Sequence, residues 1–157
     1  MLATNGKIII EIPEGKTANQ ESKKGKLIIS FKDKPKGKIT DRVKDFVDAC
    51  IEDGIKPADV YNSSETEDEI AYKKLKRIAK VLNEGWEPNW NDGNERKWWP
   101  WFKWSAGSGF DFSYSGYLCD HSHATVGSRF CLKSEELANY FGKQFLPIHN
   151  DLLIIKK

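Results

Sequence analysis

A chain of 157 residues, 39% hydrophobic and 31% charged, has the size of one ordinary domain and a composition too apolar for a disordered polymer. Its net charge of +2 is spread evenly, with 17 basic against 15 acidic residues through Glu84 and 8 against 8 beyond it, which excludes a strong global pull toward nucleic acid or anionic membrane. No stretch reaches the ~18 apolar residues of a membrane span, no signal-peptide segment stands at the N-terminus, and Cys50, Cys119 and Cys131 form no regular framework, so the expectation is a cytoplasmic protein with reduced thiols and no membrane contact.

In chain order, residues 7–12 and 26–32 are short β-branched or aliphatic runs separated by Pro13, Gly15 and a polar stretch. They predict an antiparallel hairpin with a long loop. Residues 32–38, with alternating lysines around Pro35 and Gly37, read as a linker. From Thr40, a candidate N-cap, Val43, Phe46, Val47, Cys50 and Ile51 recur at spacings of three and four until Gly54, predicting a first amphipathic helix. A connection over 55–64 follows. Thr66 with Glu69 is a capping-box pair, and Ile70, Ala71, Leu75, Ile78, Ala79 and Leu82 form the stripe of a second helix over 67–84 that Gly85 ends.

The composition then changes. All six tryptophans fall between Trp86 and Trp104, and residues 86–132 are rich in aromatics, glycine and serine. Three strand-like runs, 97–104, 110–119 and 128–133, are separated by turn chemistry at 106–109 and around Gly127, which predicts a meander. Ser134 caps a final helix over 134–155 with Leu137, Phe141, Phe145, Ile148 and Leu152 on one face; Pro147 removes a backbone donor and predicts a break near Gln144.

Three stretches carry a resemblance: residues 8–15, reading Ile-Ile-Ile-Glu-Ile-Pro-Glu-Gly; residues 83–92, reading Asn-Glu-Gly-Trp-Glu-Pro-Asn-Trp-Asn-Asp; and residues 127–138 with 142–145, reading Gly-Ser-Arg-Phe-Cys-Leu-Lys-Ser-Glu-Glu-Leu-Ala and Gly-Lys-Gln-Phe. Together they resemble an uncharacterised protein family carried by phages and prophages of gut Bacteroidetes. The resemblance spans most of the chain and implies a phage-associated setting, in the bacterial cytoplasm or the virion, with no catalytic residue to carry over. Pro147, the first helix and the Cys119–His123 segment depart from that pattern.

The aromatic run is the feature that points to a surface. On a strand over 97–104, Trp98, Pro100, Phe102 and Trp104 share one face, and Trp99, Trp101 and Lys103 share the other. Helices packed on one side leave the Trp99 and Trp101 face open unless other elements cover it, and a large open aromatic patch on a monomer usually has a use. Pro100 cannot donate to a ladder, which places the strand at an edge or a bulge; a bulge there exchanges the two faces. Trp99, Trp101, Lys103, Arg96 and Lys97 are therefore the candidate binding surface, for a protein or a second copy of the chain. Single-stranded nucleic acid is an alternative ligand, with bases on the indoles and phosphates on the cations.

Cys119, His121 and His123 alternate as zinc-preferring side chains would on one strand face, with Asp120, Cys131 or His149 as a fourth ligand, yet their spacing matches no zinc motif. The expectation is no structural metal and no cofactor, with a zinc-dependent enzyme as the remaining alternative. Gly107-Ser108-Gly109 lacks the Gly-Lys-Ser/Thr of a phosphate loop, and Ser108 is not in a hydrolase elbow. No residue pattern specifies a reaction. The resulting expectation is a single α+β domain, an antiparallel sheet of four or five strands with helices on one face, acting as a non-enzymatic interaction module.

Overall fold

Among residues 1–157, the computed structural model describes 2–4, 7–23, 26–33, 36–119 and 127–155. They divide into two compact units, Met1–Gly37 and Lys38–Lys157.

In the first unit β1 (Leu2–Thr4) pairs with β2 (Lys7–Ile9), and β3 (Lys16–Lys23) pairs with β4 (Lys26–Asp33), both antiparallel. The expected pairing of 7–12 with 26–32 does not form. The partner of β4 is the polar stretch expected to be loop, in a register running from Lys16↔Asp33 to Lys23↔Lys26. A ladder needs only consecutive backbone donors and acceptors, and the nearest segment in sequence closes it at the smallest loop entropy. Ahead of it, Lys16 donates to the Pro13 carbonyl at 3.0 Å, around Gly15 at φ +74°.

The second unit begins with the segment expected as one helix, and the structure breaks it into α1 (Ile39–Arg42) and α2 (Phe46–Glu52). Two aspartates cause the break. The Asp48 carboxylate accepts from the Lys44 and Asp45 amides at 2.8 and 3.3 Å, and Asp45 accepts from the Asp48 amide at 2.9 Å, so side chains take the donors a continuous helix would use. Of the expected apolar stripe Val43, Phe46 and Cys50 are buried, joined by Ala49, whereas Val47 and Ile51 are 49% and 69% exposed, because the break turns α2 so that its Phe46, Ala49 and Cys50 side meets the core. Gly54 ends α2 at φ +69°, where Ile55 donates to the Cys50 carbonyl at 3.0 Å.

α3 (Glu67–Leu82) starts at the expected cap, with the Thr66 amide on the Glu69 carboxylate at 2.9 Å. It buries Ala71, Leu75, Ile78, Ala79 and Leu82 and ends through left-handed residues Glu84 and Gly85. β5 (Lys97–Ser105) and β6 (Gly109–Leu118) form the expected hairpin around Gly107 and Gly109, both at φ +90°. α4 (Glu135–Gln144) is capped by Ser134, and α5 (Leu146–Leu153) follows after a break at Phe145, as Pro147 requires.

The third strand of the meander is absent. Ser128–Phe130 is one turn of 3-10 helix, and only Leu132 bridges to Trp98, exchanging hydrogen bonds of 3.0 and 2.8 Å. On the far side of Leu132 the Asn83 side chain donates to the Cys131 carbonyl at 2.8 Å and accepts from the Lys133 amide at 3.0 Å, so one amide occupies the groups a longer strand would offer. The fold is α+β as expected, but its described strands are three separate hairpins rather than one sheet of four or five strands. The core of the second unit centres on Leu75, Ile78, Leu82, Leu132, Phe141 and Phe145.

Candidate docking surface on the aromatic hairpin

The hairpin has two faces with different fates. Pro100 and Phe112 lie against Gly142 of α4 so closely that a Cβ there would fall 2.5 Å from the Phe112 ring and 2.7 Å from the proline. Phe102 packs on His149 of α5 with ring centroids 4.6 Å apart, and the Asn150 side chain clamps both backbone groups of Phe110 at 2.7 and 2.9 Å. Trp98 packs on the core and on Tyr117, at 4.8 Å. This is the face expected to be core, with one correction: Trp104, at the turn end beside Phe110, is 57% exposed.

His149 is buried between Phe102 and Phe141, and its Nε2 has no hydrogen-bond partner among the described residues. Burial drives its pKa down to about 4, against a weaker opposing effect of its hydrogen bond to the Phe141 backbone.

On the opposite face Trp101 and Tyr114 are cross-strand partners and stack nearly parallel, their planes 7° apart with centroids at 6.0 Å. They remain 54% and 55% exposed. Gly116 makes this geometry available, because its Cβ would lie 2.7 Å from the Trp101 Nε1. The register slips between Trp101 and Phe102, whose partners are Tyr114 and Phe112. The extra residue is therefore Ser113 on β6. A bulge there, rather than at Pro100, leaves the two faces of β5 unexchanged and turns Tyr114 onto the Trp101 side, opposite Phe112.

The remaining candidate surface residues are dispersed. Trp99 is half-buried, its indole N–H donating to the Gly127 carbonyl at 2.9 Å, so part of its face is covered. Lys103 is exposed and lies across from Asp111. Arg96 sits over the Tyr117 ring at 4.7 Å, against a side chain of the other face. Lys97 is fully buried, which removes it from any surface: its ammonium lies 5.3 Å from the Trp90 ring centre, donates to the Asp92 and Glu95 carbonyls at 3.3 and 3.2 Å, and lies 3.4 Å from the Glu95 carboxylate. Tyr114, the partner that completes the exposed platform, was missed; the alternating aromatics of 110–118 were visible, but the bulge that orients Tyr114 was not.

Cys119 is exposed just beyond β6, whereas His121 and His123 lie outside the described residues. Cys131 is buried, and desolvation pushes its thiol up to about 11. Among the described residues no three His, Cys, Asp or Glu side chains are gathered to hold a metal, and no helix is long and apolar enough to cross a membrane. No family model, curated protein or solved structure matches the chain.

Proposed function

We propose that the protein is a non-enzymatic docking module of a phage or prophage, acting in the host cytoplasm or the virion, and that the Trp101–Tyr114 platform seats a protein partner. The supporting observation is the platform itself: two large rings held parallel and more than half exposed, on a hairpin whose other face is anchored to α4 and α5. Rigid aromatic anchors of this kind carry much of the binding energy at protein interfaces because little side-chain entropy is lost on contact. Single-stranded nucleic acid fits this face less well, since Lys97 is buried, Arg96 serves the other side and Lys103 faces Asp111.

Sedimentation and affinity capture with the intact chain test the reading. A partner identified by mass spectrometry, or a dimer of the chain, should lose at least tenfold in affinity with Trp101→Ala while the melting temperature holds. A chain that stays monomeric and whose captured proteins are the same with and without Trp101 overturns it.

A further inference from the structure

A second concave surface lies within the same unit, where the end of α3, the segment after it and the turn at Ser128–Phe130 enclose a cleft of about 620 Å³, within the range of small-ligand sites. Lys76, Arg77 and Lys80 line it from α3, Arg129 from the turn, and Trp86 and Trp90 from the intervening segment. Around these four cations stand Glu87 in the lining, Asp53, which takes both Arg77 and Lys80, the latter at 2.8 Å, and Glu95, which accepts from the Trp86 indole; Lys76 also borders a second hollow with Glu65, Asp68 and Glu69, without an ion pair to any of them. Lys76 rests only over the Tyr72 ring, at 6.0 Å, and Arg129 meets no carboxylate within ion-pair distance among the described residues.

The two indoles are held by groups other than these cations. Trp86 donates its N–H to Glu95 at 3.0 Å, and Trp90 is backed by the buried Lys97 ammonium. Two uncommitted cations beside two positioned aromatic rings match a ligand that carries a phosphate and a planar ring.

We propose that this cleft binds a nucleotide unit, its phosphate on Lys76 and Arg129 and its base against Trp86 or Trp90. A free mononucleotide and a single strand share that chemistry. Titrations of the intact protein with adenosine monophosphate, followed by tryptophan fluorescence, and with a labelled oligothymidylate, followed by anisotropy, separate the two sources: saturation by the mononucleotide assigns a free nucleotide, and saturation by the oligonucleotide alone assigns a strand.

In either case Lys76→Glu and Arg129→Glu should each weaken binding on the order of tenfold, as should raising salt from about 50 to 200 mM, because the affinity rests on phosphate contacts. Both side chains are exposed, so melting curves should match the parent. Lys103→Glu, on the aromatic hairpin, should leave the affinity unchanged. Absence of saturable binding by either ligand, or equal losses with Lys103→Glu and the two cleft variants, overturns the proposal.

Discussion

Lys97 shows how strongly context sets the role of a residue. Between Arg96 and five aromatics it reads as a surface cation, yet it is among the largest fully buried side chains of the described residues, satisfied by two carbonyls, one carboxylate and an indole face. Glu95 ties the arrangement together, since it also accepts from the Trp86 indole at 3.0 Å and the Asn89 amide at 2.6 Å. Removing a buried ion leaves its partners unpaired. Lys97→Ala should therefore lower unfolding free energy by about 3 kcal/mol in urea titrations, and Lys97→Met, which keeps the stem beneath Trp90, by less.

His149 gives a second test at this scale. Its folded pKa of about 4 lies below the 6.5 of a free imidazole, so the unfolded chain binds the proton more readily. The stability contributed by keeping the ring neutral is complete above pH 6.5 and is lost as pH falls toward 4. The total is about 3 kcal/mol at 1.36 kcal/mol per pH unit. In His149→Leu the fall in melting temperature over that window should flatten. Burial acts to raise the Asp53 carboxyl, but the hydrogen bonds and charges of Lys80 and Arg77 outweigh it and hold the group below the ordinary carboxylate range.

Between elements, the contact of the hairpin with α4 depends on a missing methyl. Gly142→Ala would gain about 1 kcal/mol of helix propensity, but the new carbon meets the rigid Pro100 ring and Phe112, and overpacking of this kind costs more. A net loss of about 1 to 2 kcal/mol is expected by thermal denaturation. The two hairpin faces should also separate cleanly. Phe102→Ala opens space against His149 and should cost about 3 kcal/mol, whereas Trp101→Ala removes an exposed ring and should shift stability by under about 1 kcal/mol.

At the scale of the molecule, every buried core residue among those described lies at Ile39 or beyond, and the second unit has its own helices, hairpin and hydrophobic centre. Residues 38–157 prepared alone should fold cooperatively, with a melting temperature within about 5 °C of the whole chain, a shift of roughly 1 kcal/mol. A fragment with no cooperative transition would mean that the second unit needs the first to fold.

The features legible in the sequence were those decided by neighbours in the chain. The Thr66–Glu69 and Ser134 caps, the stop at Gly54, the turn through Gly107 and Gly109 and the break before Pro147 each depend on a few adjacent residues competing for backbone donors and acceptors, and each stands where expected. What only the tertiary structure decided involves residues distant in sequence. β4 took a polar partner because pairing depends on backbone groups, and Asn83 ended the meander by filling the backbone groups flanking Leu132 from 48 and 50 residues away. Trp99 was half covered through Gly127, Trp104 was left outside, and Lys97 was enclosed by the loop before β5. Periodicity assigns a side chain to a face of its own strand. Which faces are then covered depends on how helices and loops settle around that strand, and they leave the Trp101–Tyr114 platform uncovered, as they do Trp104 at the turn end.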